Sequence, residues 1–334
     1  MQHNHMALGF NISAWYRCLM ALNAGFIFLL LGGPLAHADD YVYVSNTSAG
    51  TITQIAPNGN MSIFASGLNS PEGLAFDSAG NLFVADAGDG TISEIGSSGN
   101  VSTFVSGLNS PAALAFDPDG NLYVETLGDQ TISKIDSGGN VSIFATGISS
   151  YYRDGAYLVT DNEGNVYANT AHTMEKFDSS GNPSTVAGGF NFYEGMAVDG
   201  AGNLYLALQN YGGIYGNGST LLYPPPFSLG GGTPPNLDSF PGGLAFDANG
   251  NLFAYFTGME STIGLLNGIV MEFDSNGDNS SLATGHVLAT GIAGGTGDFG
   301  YIAVQSVSVQ SVPEPGIWAL ASALAAVLYL RWRL

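Results

Sequence analysis

From Leu74 to Val105 the chain carries four short apolar runs: Leu74–Phe76, Leu82–Ala85, Thr91–Ile95 and Val101–Val105. Gly, Asn, Asp and Ser separate them. Runs this short, rich in Val, Ile and Phe and bounded by turn formers, predict strands rather than helices. The pattern then repeats. Residues 70–108 read SPEGLAFDSAGNLFVADAGDGTISEIGSSGNVSTFVSGL and residues 110–148 read SPAALAFDPDGNLYVETLGDQTISKIDSGGNVSIFATGI, aligned without a gap.

An Asp-x-x-Gly-Asn-(Leu/Val) anchor marks each copy, beginning at Asp77, Asp117, Asp161, Asp199 and Asp247. Asp accepts backbone N–H bonds in an Asx-type turn, and Gly supplies the positive φ of a tight hairpin. These aspartates therefore read as turn formers, not catalysts. A second Gly-Asn, at Gly99-Asn100 and Gly139-Asn140, does the same between the third and fourth strands. Full units begin near Ser70, Ser110, Tyr151, Phe192 and Phe240. Before them, Tyr41–Ser45, Thr51–Ile55 and Met61–Ala65 supply the second, third and fourth strands of one more unit. Its first strand is predicted at the other end, at Gly300–Val304.

Four antiparallel strands per roughly 40 residues is the pattern of a propeller blade. The expected fold is all-β: a six-bladed β-propeller of four-stranded antiparallel blades over 39–306. A C-terminal strand closes the ring, so no sheet edge is left at an open end. Two interruptions stand out: Tyr211–Phe240, with Pro224-Pro225-Pro226 and Gly230-Gly231-Gly232, and Thr257–Asn267. Long loops on a rigid ring either carry binding or are tolerated drift.

The units resemble NHL-type repeats and the wider six-bladed group with gluconolactonase-like and streptogramin-lyase-like propellers. That resemblance covers Tyr41–Val304 and bears on fold more than on activity, because one architecture hosts many functions.

Composition changes the picture at three points. The 48 glycines fit many tight turns, and the 45% hydrophobic content supports a large core. The formal net charge is −21, and only 10% of residues are charged. Every acid but Glu314 falls in the body, against Lys134, Arg153 and Lys176 as its cations. Such a field repels nucleic acid and anionic membrane surfaces. It favours cations, neutral glycans or basic partners, or it simply keeps an exported protein soluble. The single cysteine, Cys18, lies in the leader, so disulfides do not stabilise the body.

Both ends carry addresses. Arg17, the apolar run to Leu35 and Ala36-His37-Ala38 read as a secretory signal over 1–38, cleaved after Ala38 with Ala36 and Ala38 as the small residues. At the other end Pro313-Glu314-Pro315 precedes an apolar run, Ile317–Leu330, and then Arg331 and Arg333. The run is shorter than the roughly 20 residues of a standard span, with snorkelling arginines making up part of the difference. It predicts a short transmembrane helix with a cytoplasmic C-terminus. This order at 307–334 resembles the PEP-CTERM sorting signal. The resemblance implies an exosortase-type sorting protease as partner and export across the inner membrane of a Gram-negative bacterium. The tail would anchor the chain transiently before it reaches the cell surface or medium, in a context of exopolysaccharide and biofilm. A plain tail anchor is the alternative.

Candidate chemistry lies at the start of each first strand. Aligned with Glu72 are Ala112, Ala156, Glu194, Gly242 and Phe299. Glu72 and Glu194 are expected to face each other across a six-fold ring, with Asp154 near the same rim and Asp298 beside the last position. Clustered carboxylates suit a hard divalent cation such as Ca²⁺. The gluconolactonase resemblance likewise implies a divalent metal, but its asparagine ligands find no match here. No catalytic set emerges: His172 and His286 have no ligand spacing, and no Gly-x-Ser-x-Gly, P-loop or basic patch is present. The sequence thus leads to a non-enzymatic, surface-directed binding or matrix module. The alternatives are a metal-dependent lactonase-like hydrolase or lyase, and a protein-binding scaffold using Tyr211–Phe240.

Overall fold

The computed structural model describes residues 40–148, 156–170, 173–188, 193–208, 213–216, 220–223, 240–257, 268–273, 286–292 and 301–305. The signal, the sorting tail, Asp154 and Asp298 lie outside them. Residues 40–307 form one compact unit.

Among the described residues the strands form six four-stranded antiparallel sheets. The first blade holds β1 (Tyr41–Asn46), β2 (Thr51–Ile55) and β3 (Met61–Ser66). The second holds β4 (Pro71–Phe76), β5 (Leu82–Asp86), β6 (Thr91–Ile95) and β7 (Val101–Ser106), and the third β8 (Pro111–Phe116), β9 (Leu122–Thr126), β10 (Thr131–Ile135) and β11 (Val141–Thr146). The fourth holds β12 (Leu158–Thr160), β13 (Val166–Asn169), β14 (Thr173–Phe177) and β15 (Pro183–Gly188). The fifth holds β16 (Tyr193–Val198), β17 (Leu204–Leu208), β18 (Gly213–Gly216) and β19 (Thr220–Tyr223). The sixth holds β20 (Phe240–Phe246), β21 (Leu252–Thr257), β22 (Gly268–Phe273) and β23 (His286–Ile292). The last strand, β24 (Ile302–Gln305), completes the first sheet by pairing antiparallel with β1 in the register Val42↔Val304 and Val44↔Ile302.

The expected closure therefore forms, with its strand ending one residue later than read from the sequence. The Tyr211–Phe240 interruption needs correction. Its first part is not irregular: β18 and β19 lie within it and supply the third and fourth strands of the fifth blade. The sequence between them, Gly216-Asn217-Gly218-Ser219, departs from the spacing of the Gly-Asn step at Gly99-Asn100 and Gly139-Asn140, which hid them. Residues 224–239 and 258–267 lie outside the described residues.

The inner strands β24, β4, β8, β12, β16 and β20 each touch the next, and β20 returns to β24. Six sheets joined edgewise in that cyclic order make a closed, propeller-like ring. All six inner strands line one central cavity of about 260 Å³.

The anchor turns behave as their chemistry requires. Asp77 Oδ1 accepts the N–H groups of Ala79 and Asn81 at 2.9 and 2.8 Å, and Oδ2 accepts the Asn81 side-chain amide at 2.9 Å. The backbone of Gly80 sits at φ +84°. The same Asp-to-Asn bonding recurs at Asp117, Asp161, Asp199 and Asp247. Between blades the second strands bury one row of aliphatics, including Val42, Leu82 and Leu122, and one row of rings. Tyr43 meets Phe64 and Phe76 edge-on at 5.0 and 5.1 Å, and Phe83 repeats the arrangement with Phe104 and Phe116. Such pairs add to the stabilisation from burial alone.

Closure by β24 is expected to hold the ring together rather than decorate it. Deleting residues 301–305 from the full chain should replace one sharp thermal transition, followed by circular dichroism, with a broad, lower one. An unchanged melt would mean the remaining strands close the ring without it.

Candidate functional site

Register fixes which residues share a level around the cavity. Leu74, Leu114, Leu158, Met196, Leu244 and Ile302 pair with equivalent positions of their second strands. One residue earlier in the chain stand Gly73, Ala113, Tyr157, Gly195, Gly243 and Tyr301. Two residues earlier stand Glu72, Ala112, Ala156, Glu194 and Gly242. At the level of Leu74 the last strand places Ile302, opposite Val44, one residue later in the chain than the sequence alignment assumed; Phe299 lies outside the described residues.

The level of Gly73 and Tyr157 determines the shape of the mouth. A Cβ on Gly73 would lie 2.3 Å from the carbonyl oxygen of Ala112, and one on Gly195 would lie 3.2 Å from Cα of Gly243. The second and third blades, and the fifth and sixth, therefore approach too closely there for a large side chain. The two tyrosines stand three positions apart in the cyclic order, just before β24 and just before β12. Their rings meet with centroids 5.6 Å apart, tilted by 38°. Opposite blades thus touch through an aromatic pair. Both rings are buried, and the Tyr301 hydroxyl accepts the backbone N–H of Ala156 at 3.3 Å.

Two carboxylates surround this pair. Glu72 precedes Gly73 at the rim and is half-buried. Loss of hydration pushes its pKa up to about 7. Glu125, near the end of β9 and opposite Ala113, is 1% exposed. Burial pushes the Tyr301 phenol well above its ordinary range, and the negative charge of Glu72 adds to the effect, with Tyr157 and Glu125 contributing further. The rim loop is held from below. Asp86 Oδ1 accepts the N–H of Asn69 at 2.6 Å, and Ser70 adopts φ +55° just before Pro71. That conformation is unfavourable for a residue preceding proline.

Of the residues proposed from sequence, Glu72 is at the mouth as expected. Glu194 lies on β16, on the opposite side of the ring order, but its side chain is outside the described residues, as is all of Asp154. Ala112 and Ala156 bring no oxygen ligand. Among the described residues no three His, Cys, Asp or Glu side chains converge. The described groups do not by themselves make the six-to-eight-oxygen shell, roughly, that Ca²⁺ takes. Sequence reasoning missed Glu125, Tyr157 and Tyr301. The gapless repeat carries a signal for Glu125, which stands where Ala85 does, on a second strand rather than a first. Tyr157 and Tyr301 stand out only once the small residues at their level are seen.

A group near neutrality can give or take a proton, or be drawn into its anionic form by a bound cation. No family model and no curated protein matches the chain. The fold is similar to that of a gluconolactonase from Xanthomonas campestris, at 16% identity over 78% of this chain and 90% of that one, with a TM-score of 0.52. It also aligns with virginiamycin B lyase from Staphylococcus aureus, at 12% identity over 82% and 86% of the two chains, with a TM-score of 0.48. The gluconolactonase likeness establishes a propeller fold and, at this identity, nothing about activity.

Glu72 offers a test by pH. Its folded pKa lies above its unfolded value, so the folded state holds the proton more tightly. Below the unfolded value of 4.5 both states are protonated and the shift costs nothing; as pH rises toward about 7 the folded state progressively loses stability. The full penalty above that range is about 3 kcal/mol. Glu72→Gln is therefore expected to raise the melting temperature near about pH 8 and leave it nearly unchanged near about pH 4. Equal effects at both would mean that the carboxyl is not desolvated.

Proposed function

We propose that this protein is an exported, surface-directed binding module, sorted through its C-terminal tail, which holds its ligand at the Glu72 mouth of the ring. The observation that carries this is the Tyr157–Tyr301 contact beside a half-buried carboxyl. The inner surface is closed by rings at that level, so a ligand would rest against the mouth. A divalent cation such as Ca²⁺ suits the site best, with Glu72, Glu194 and Asp154 as its ligands. Such an ion would withdraw the proton from Glu72 and offset the cost of burying its charge. The acidic body favours a cation in the same way. Bound calcium would also give neutral or acidic exopolysaccharide a bridge to the ring.

Calorimetric titration with CaCl₂ is expected to show binding that weakens at least about tenfold in Glu72→Gln and in Glu194→Gln, a loss of about 1.4 kcal/mol or more. Unchanged affinity in both variants would remove the mouth as the metal site.

The second reading is a metal-dependent lactonase-like hydrolase or lyase. It is favoured by one observation: an acid poised near neutral pH, suited to general acid–base work. Lactone hydrolysis by the wild type that disappears in Glu72→Gln and Glu194→Gln would make it the better account.

The sorting part of the proposal rests on Pro313-Glu314-Pro315 and the terminal arginines. In a host with an exosortase-type protease, replacing Pro313 and Pro315 by Ala should leave the chain in the inner-membrane fraction at full length. Release of the variant at the wild-type rate would reduce the tail to an ordinary anchor.

A further inference from the structure

A second cavity, of about 650 Å³, opens at the other end of the inner strands, between the second and third blades and reaching residues 160–162 of the fourth. Its floor is aromatic. Phe83 meets Phe104 and Phe116 edge-on, at 5.1 and 5.0 Å. Asp77, Glu94 and Asp119 stand around these rings.

Neighbouring blades show what such a slot accepts. In the third blade Lys134 lies across from Tyr123 in the β9–β10 ladder. Its Nζ is 5.1 Å from the centre of that ring and 3.6 Å from the carboxylate of Asp117, the anchor aspartate. In the fourth blade Lys176 repeats this over Tyr167, at 5.4 Å from the ring and 3.8 Å from Asp161. Each of these blades thus places an ammonium between an aromatic face and its anchor carboxylate, where cation–π attraction and charge pairing act together. In the second blade the anchor is Asp77, the ring is Phe83, and the residue across from that ring is Glu94. Among the described residues the Glu94 side chain has no hydrogen bond or ion pair. The pattern is kept and the cation is replaced by an acid.

We propose that this slot binds a lysine side chain of a basic protein segment, whose stem lies along Phe83 and whose ammonium sits between Asp77 and Glu94, as Lys134 and Lys176 sit in the next two blades. The occupant follows from charge complementarity. A second carboxylate in place of the lysine leaves two acids and no cation of the blade's own in the slot, which suits an external cation, and the apolar floor suits an alkyl stem better than a bare, strongly hydrated metal ion. The strongly acidic body draws basic segments toward it. The cavity is also roomy enough for backbone on either side of the lysine. This site is separate from the Glu72 mouth, so its success or failure leaves that reading untouched.

The test is fluorescence anisotropy with a labelled Gly-Lys repeat peptide and the full chain. Wild type is expected to bind. Glu94→Lys supplies the ammonium internally and is expected to weaken binding by about tenfold or more, and Glu94→Gln several-fold, the latter with the fold undisturbed. Acetylating the peptide lysines should weaken binding to the same degree. Asp129→Lys, an equal charge change on an exposed turn at the opposite rim, should stay within about twofold of wild type. The proposal is overturned if wild type does not bind, if both Glu94 variants bind like wild type, if the acetylated peptide binds equally well, or if Asp129→Lys loses as much as Glu94→Lys. The last result would mean that only the overall field matters.

Discussion

The pairing of β24 with β1 is the constraint on which the rest of the protein depends. It joins residues more than 250 positions apart: the Tyr43 hydroxyl donates to the Gln305 side chain at 3.1 Å, across a sequence separation of 262. Joining ends so distant costs chain entropy, though that cost grows only slowly with loop length. In return, every inner strand gains a neighbour on both sides. The interblade contacts become continuous, and no inner strand is left at the open end of a row of blades. The same pairing delivers Tyr301, immediately before β24, to the centre of the ring. The mouth therefore exists only in the closed form, and its chemistry is coupled to the integrity of the fold.

The centre of the ring has a local pseudo-two-fold pattern within its six-fold order. Blades two and five carry Glu-Gly at the inner mouth, and blades one and four carry Tyr. At Gly73 a Cβ would lie 2.3 Å from a neighbouring carbonyl oxygen, which excludes a side chain, and at Gly195 the 3.2 Å approach to Cα of Gly243 leaves little room for one. Tyrosine fills the level from the first and fourth blades. Burial and the neighbouring carboxylates then oppose ionisation of Tyr301. Burial removes water from Glu72, and Glu72 in turn opposes ionisation of Tyr301. Bringing a cation to this place relieves an electrostatic cost the fold already carries, which connects the energetics of the ring to its proposed binding.

On the other face the repeats act as internal controls for one another. Lys134 and Lys176 neutralise the anchor aspartates of their blades, while Gln54 takes the same place in the first blade and donates to Tyr43 at 2.6 Å. Substituting Glu94 at this position costs little in folding, since the slot is partly open to water. It reverses the local charge without disturbing the turn, because Asp77 keeps its bonds to Ala79 and Asn81. A repeat protein can thus change what one blade binds while the turn and packing residues hold the scaffold fixed.

The all-β class, the strand positions of the second and third blades and the structural role of the anchor aspartates were all readable along the chain. They depend on local rules: alternation, turn residues and a strict repeat. The missing first strand was also legible, because a ring with one blade short by a strand at one end must find it at the other. The fifth blade's outer strands were hidden, since the Gly-Asn-Gly-Ser between them departs from the repeat's usual spacing, and they take their identity from pairing, β18 with β17 and β19 with β18. Glu72 was picked out by position alone; its shifted pKa is a product of burial, which no sequence pattern states. Glu125, Tyr157 and Tyr301 belong to different blades and meet only when the ring closes. The sequence by itself determined the repeating unit and its turns, because those forces act within a few residues. Only the tertiary structure decided which side chains share the mouth, because that depends on distances between blades that closure sets.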